Sequence, residues 1–215
     1  MYTHVIWDFN GTILRDMEVG IKAMNRILSE RGMPAIRDLA AYREIFDFPV
    51  EAYYHRLGLD RTGEDFHTVL APLWVSYYHL YDKEAPIYDG VRPLCAALRA
   101  AGARQSVLSA SEKGMMERQL RERGALELFD EIWGTDTIFG VGKEGAAAAW
   151  RAAHPSDRAL LLGDTTHDCA VARAIGADCI LVADGHQSAA RLSKCGVPVV
   201  GTLEEVLPLL REKGE

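Results

Sequence analysis

From Gly90 onward the chain repeats one pattern: a short apolar run, then a stretch with helical periodicity. Leu94, Ala97, Leu98 and Ala101 mark a helix closed by Gly102, and Gln105 to Ser109 follows as a strand. Met115 to Arg123 is a helix closed by Gly124, and Glu131-Ile132-Trp133 is a short strand. Glu144 to Ala153 (helix), Ala159 to Leu162 (strand), Asp168 to Ile175 (helix) and Cys179 to Val182 (strand) continue the series. Ala189 to Lys194, Val197 to Val200 and Leu203 to Leu210 close it as helix, strand and helix. Such alternation constrains the fold strongly, because consecutive parallel strands need a crossover and helices supply it. The expected class is α/β, a doubly wound parallel sheet with helices on both faces.

The N-terminus contributes one more strand. Val5-Ile6-Trp7 is too short for a helix, ends in Asp8, and is followed by a turn at Gly11. Open parallel sheets bind ligands at the carboxyl ends of their strands, so Asp8 faces a candidate site. Between this strand and the alternating region the pattern is helical throughout. Val19, Ile21, Ala23, Met24, Ile27 and Leu28 suit one helix, ended by Gly32 and Pro34. Further helices are expected over about 38–46 and 50–57. A longer one, over about 64–81, is rich in aromatics: Phe66, Trp74, Tyr77, Tyr78 and Tyr81. The chain is therefore read as one α/β domain of residues 1–14 and 87–215, interrupted by an all-helical insert over 15–86.

Four places carry chemistry: Asp8-Phe9-Asn10-Gly11-Thr12, Ser109, Lys143, and Gly163-Asp164-Thr165-Thr166-His167-Asp168. Each falls where an expected strand ends or a helix begins. Singly, each has an ordinary explanation: a capping or turn residue for Asp8, Ser109 and Asp168, a solvated lysine for Lys143. Jointly and in this order they resemble the motifs of the haloacid dehalogenase superfamily, whose phosphatases open on Asp-x-Asp-Gly-Thr. Gly185-His186-Gln187-Ser188 is similar to a segment of its phosphoglycolate-phosphatase-like branch.

The resemblance implies a Rossmann-like core with a helical cap closing over the strand ends. It also implies an Mg²⁺-dependent phosphatase working through an aspartyl-phosphate on Asp8. Mg²⁺ would be held by Asp8, Asp164, Asp168 and the backbone carbonyl of Asn10, while Ser109 and Lys143 would bind phosphate. The residue types suit these roles. A carboxylate is ionised at neutral pH, but it repels a phosphate dianion unless a cation lies between them. His167 is read as a loop residue and His4 as structural. Arg15, Arg43, His55 and Arg56 of the insert are read as surface or structural groups within reach of a substrate.

Asn10 is the departure. The family's general acid–base is an aspartate there, and an amide exchanges no proton near neutral pH. Three readings stay open: a phosphatase made slow or selective by Asn10, a non-catalytic phosphate-binding or regulatory protein, and another chemistry of the superfamily. That last group comprises phosphomutase, phosphonatase and dehalogenase. Dehalogenation fits least, since the acidic metal loop is intact; a phosphonatase would want a lysine in the insert for a Schiff base, and the insert's only lysines, Lys22 and Lys83, stand in polar contexts.

Composition narrows the partners. With 24 basic and 31 acidic residues the net charge is -7, which disfavours nucleic acid and anionic membranes as partners. A small phosphate ester needs only local positive charge and is the expected substrate. Cys95, Cys169, Cys179 and Cys195 show no paired spacing and are read as free thiols. With no signal-peptide pattern and no long apolar run, the expected location is cytoplasmic.

Overall fold

The computed structural model describes residues 2–212. Six strands form one parallel sheet: β1 (His4–Trp7), β2 (Arg104–Glu112), β3 (Glu131–Thr135), β4 (Ala159–Gly163), β5 (Asp178–Val182) and β6 (Val199–Val200). Their order across the sheet is β3-β2-β1-β4-β5-β6, so the fold is a doubly wound α/β sheet. β1 lies at its centre, with Trp7 beside Val107 on one side and Leu162 on the other. A strand buried on both faces reads as an unbroken apolar run, which explains Val5-Ile6-Trp7 and Leu160-Leu161-Leu162. Alternate side chains feed two cores. Val5 and Trp7 pack with Leu94 and Leu98 of α5 (Val91–Ala100) and Leu120 of α6 (Lys113–Glu122). Ile6 packs on the opposite face with Trp150 of α7 (Glu144–Ala153) and Ala172 of α8 (Thr166–Ala174).

Strand order reverses between β1 and β4, the place where open sheets leave a crevice for ligands. Asp8 and Asp164 are the residues that leave those two strands. Gly11, at φ 78°, turns the chain there, and a Cβ on it would overlap the Asp164 carboxylate and the His186 ring. No residue but glycine meets both demands.

Between β1 and α5 lie α1 (Met17–Glu30), α2 (Leu39–Ile45), α3 (Val50–Arg56) and α4 (Ala71–Tyr81). They enclose an apolar cluster of their own, including Met24, Leu28, Tyr42, Leu59, Phe66 and Leu70. After β5 come α9 (Ala189–Leu192), β6 and α10 (Val206–Glu212).

Several boundaries differ from the sequence reading. β2 runs past Ser109 to Glu112, through a register shift against β3 between Leu108 and Glu112. The helix expected over 64–81 opens with a π-helical turn, Phe66–Leu70, before α4, and Pro72 sits in the first turn of α4. The last strand shrinks to two residues because Pro198 has no N–H for the ladder; its carbonyl accepts from Leu181 N at 2.9 Å. α8 begins at Thr166 rather than Asp168, with Thr165 as its N-cap in a reciprocal capping box with Asp168. All four cysteines are free. Among the described residues no helix is long and apolar enough to cross a membrane.

The edge of the sheet opposite the crevice holds a second polar cluster. His4 is fully buried; its Nε2 lies 2.7 Å from Ser106 Oγ and its Nδ1 3.3 Å from Asp157. Burial holds the imidazole below its ordinary value, outweighing the opposing pull of Asp157. The unfolded chain then binds the proton more readily than the fold does. This contribution to stability is complete above about pH 6.5 and is lost as pH falls toward the lower folded value. Urea unfolding at pH 7.5 and 5.5 is expected to show a drop that is smaller in His4→Gln. Equal drops in the two proteins would remove His4 from the account.

Candidate active site

The four sequence-selected segments converge at the carboxyl ends of β1, β2 and β4. Asp8, Lys143, Asp164 and Asp168 are all buried. Lys143, at the N-cap position of α7, points its ammonium back into the sheet instead of capping its helix. Its Nζ donates to Asp8 Oδ1 at 2.5 Å and to the Leu108 carbonyl at 3.1 Å, and it pairs with Asp168 Oδ1. Asp168 Oδ2 accepts from Asp164 N, Thr165 N and Thr165 Oγ, which fixes the carboxylate. Asp164 accepts from Thr12 Oγ at 3.2 Å and from His186 N at 2.5 Å.

Charge in this cluster is out of balance. Burial drives the Asp8 carboxyl up to about 6, with Lys143 opposing and Asp168 reinforcing the shift. Burial holds Asp164 well above the carboxylate range; His186 opposes while Asp8 and Asp168 add to it. Only at Asp168 is burial overcome, by Lys143 and Thr165, so that its carboxyl is lowered. Three carboxylates against one lysine form a site short of positive charge. Asp8, Asp164 and Asp168 each offer one oxygen, all within 4.8 Å of one another. An all-oxygen set of this kind suits Mg²⁺ or another hard divalent cation.

Ser109 lies at the start of the irregular stretch of β2, where its Oγ accepts from Ser111 N at 3.1 Å. Asn10 is held on both sides. Its Nδ2 donates to Asp16 Oδ2 at 2.7 Å, and its Oδ1 accepts from Ser111 Oγ at 2.6 Å. Asp16 also accepts from Tyr78 Oη at 2.8 Å and lies 3.4 Å from His186 Nε2. Burial would raise the Asp16 carboxyl, but His186, Tyr78 and Asn10 outweigh it and the value is lowered. Asp16, Ser111, Tyr78 and the imidazole of His186 were given no role by sequence reasoning. His186 was within view only as part of the Gly185–Ser188 segment.

The remaining candidates are accounted for structurally. His167 is not a loop residue: it sits in the first turn of α8, its ring stacked on Phe48 at 4.7 Å and its Nε2 2.9 Å from Glu144. The helix starts two residues earlier than expected, and that brings His167 into it. Arg43 donates to the carbonyls of Gly185 and Asp184 at 2.8 and 2.6 Å. Arg56 donates to Ile45 O and Asp47, Arg15 lies over the Tyr88 ring, and His55 is exposed beside Glu51. None of these four arginine and histidine residues lines the crevice. Other bonds join α2 and its C-terminal end to the segment from His186 into α9. Arg191 donates to Phe46 O at 2.6 Å and Arg43 O at 2.9 Å, and Tyr42 Oη lies 2.6 Å from His186 Nδ1.

Comparison with known proteins bears on the family and the fold. A family model described as haloacid dehalogenase-like hydrolase matches residues 5–182. The tyrosine-protein kinase PtkA of Mycobacterium tuberculosis is 28% identical over 213 residues, covering 94% of this chain and 70% of that protein. The phosphoglycolate phosphatase of Rhodospirillum rubrum is 25% identical over 194 residues, covering 85% of this chain and 80% of that one. The solved structure of M. tuberculosis PtkA superposes with a TM-score of 0.81 at 24% identity, covering 97% of this chain and 98% of that one.

Proposed function

The chain belongs to the haloacid dehalogenase-like hydrolase family, and on that premise we propose that it is an Mg²⁺-dependent phosphatase of a small phosphate ester, with Asp8 as nucleophile. The observation that carries this reading is the meeting of Asp8, Asp164 and Asp168 around Lys143 at the strand-order reversal. Asp8, Asp164, Asp168 and the Asn10 carbonyl would hold the cation. When bound, it supplies the positive charge that lets a carboxylate approach a phosphate dianion.

This chain's own groups do the rest. Lys143 holds one Asp8 oxygen, leaving the other to form a bond to phosphorus as the bond to the leaving oxygen breaks. Lys143 and Ser109 can donate to phosphoryl oxygens. Residues 15–86 act as a cap that keeps bulk water from the crevice. Asn10 positions but exchanges no proton, so the leaving alcohol departs unaided, and attack by water on the aspartyl-phosphate is the slow step.

The test is phosphate release from a panel of esters with and without Mg²⁺. Turnover indifferent to the metal would overturn the reading. Binding of Mg²⁺ has its own readout: at about 100 times its Kd it stabilises the fold by about 2.7 kcal/mol. Asp164→Asn is expected to remove most of that gain in melting temperature.

Transfer to an acceptor other than water is a second reading. It is favoured by Asn10, whose amide is engaged on both sides, and by the similarity to a protein named as a tyrosine kinase. In the steady state, after any burst, release of more p-nitrophenol than phosphate from p-nitrophenyl phosphate in the presence of an added phenol or alcohol supports it. Equal release excludes it.

A further inference from the structure

Directly beside Asp8, Ser109 and Lys143 a cavity of about 130 Å³ extends between the helical insert and the sheet. Its walls are mainly apolar and rich in aromatic side chains, with Phe46, Tyr53, Tyr54, Phe66, Trp74 and Phe139 among them. Among the described residues the cationic groups on the wall are Lys143 and His186. Lys143 is already engaged by Asp8 and Asp168, and His186 lies between Asp16 and the Asp164 carboxylate. Asp16 and Glu112 add carboxylates to the same wall. A substrate with a second anionic group beyond its phosphate would find carboxylates there and no free cation. An apolar ring would find a cavity of the right scale, since one of roughly 150 Å³ holds benzene.

The buried Tyr53 hydroxyl has no hydrogen-bond partner among the described residues, so this wall offers one neutral polar group to a substituent. Independently, Asn10 cannot protonate a leaving group, which selects for leaving groups that depart as anions.

We propose that the site takes the phosphate ester of an uncharged phenol, its ring among the aromatic side chains of the insert and its phosphate at Asp8. The proposal rests on the phosphatase reading for its chemistry. An Asp8 oxygen bonds to phosphorus, the bond from phosphorus to the aryl oxygen breaks, and the electron pair leaves on the phenolate.

Esters of phenols are intrinsically the more reactive, so binding is the fair comparison. Benzylphosphonate mimics phenyl phosphate, and 3-phosphonopropanoate mimics phosphoglycolate; neither has an ester bond to cleave. In calorimetric titrations of the whole protein with Mg²⁺ present, benzylphosphonate is expected to bind at least about 10- to 200-fold tighter, the range that even a single methylene commands in a hydrophobic pocket. Val75, on the cavity wall, is outside the catalytic cluster. Val75→Arg is expected to narrow that ratio by strengthening 3-phosphonopropanoate. Equal affinities in the wild type, tighter binding of 3-phosphonopropanoate, or no binding of either compound overturns the proposal. Preferential binding of benzylphosphonate with no turnover of any ester supports the aromatic class while removing the phosphatase reading.

Discussion

Asp8→Asn is expected to remove both the initial release of p-nitrophenol and all later turnover, a loss of at least about 10⁴-fold, the result that deleting the proposed covalent nucleophile entails. The substitution keeps the shape of the side chain and takes away the carboxylate oxygen proposed to attack. The fold tolerates it for a reason visible in the site. Burial already drives Asp8 up to about 6, against the pull of Lys143, so a neutral group there is not foreign to the cluster. Lys143 keeps Asp168 and the Leu108 carbonyl. A melting temperature close to wild type, together with lost turnover, is the expected pair of results. In the wild type, p-nitrophenyl phosphate is expected to give a burst of about one nitrophenol per enzyme and then a slow steady state, as the proposed mechanism has attack outrun hydrolysis. Asp8→Asn retaining turnover within about 10-fold of wild type would mean that another group attacks.

Asn10→Asp raises the steady state, and it does so fully only when Asp16→Asn accompanies it. In the wild type the Asn10 amide donates to Asp16 Oδ2 at 2.7 Å. A carboxylate at position 10 would put two acceptors at that distance, and like charges so close cannot both stay ionised. The single variant therefore gains about 10-fold or less, its new carboxyl turned aside or sharing a proton with Asp16. Exchanging the two side chains restores a donor facing an acceptor, because an amide at 16 can donate to the carboxylate at 10. The amide at 16 can donate its second hydrogen to Tyr78 Oη, which now accepts, and His186 Nε2 remains beside its oxygen. The double variant is expected to gain about 10²-fold on an alkyl phosphate, within the usual contribution of a general acid–base. Steady-state phosphate release for wild type, both single variants and the double gives the coupling directly. Additive effects would show that Asp16 does not control position 10. No gain in any variant would show that water activation is not what limits the rate.

The sheet was legible because its signal is local. Each strand is an apolar run of a few residues, each crossover a helical period, and β1 and β4 announce their central positions by lacking polar residues over Val5–Trp7 and Leu160–Leu162. The candidate site residues were legible for a related reason: Asp8 and Asp164 leave strands at the edge where such folds bind ligands, and Asp168 follows in the first turn of the next helix. What could not be read is what depends on two segments meeting. Asp16 follows a loop with no periodicity, Ser111 lies in the shifted stretch of β2, and Tyr78 belongs to a stripe that reads as core. Only docking of the insert brings them to Asn10. The helix start at Thr166 was missed because Asp168 and Thr165 are both good caps, and only the reciprocal bonds show which of them is the cap.

The bonds between the α2 region and residues 184–191 bear on how this protein can be recombined with its relatives. Arg43 binds the carbonyls of Asp184 and Gly185, and Arg191 binds those of Phe46 and Arg43, so the partners on the sheet side lie some 140 residues downstream of the helices they hold. Next to them, His186 N supports Asp164. A chimera made by transplanting residues 15–86 alone would arrive without its counterpart and leave the His186 segment facing a foreign surface. The transferable unit is discontinuous: the helices together with residues 184–191, cut from two places in the gene and moved as one.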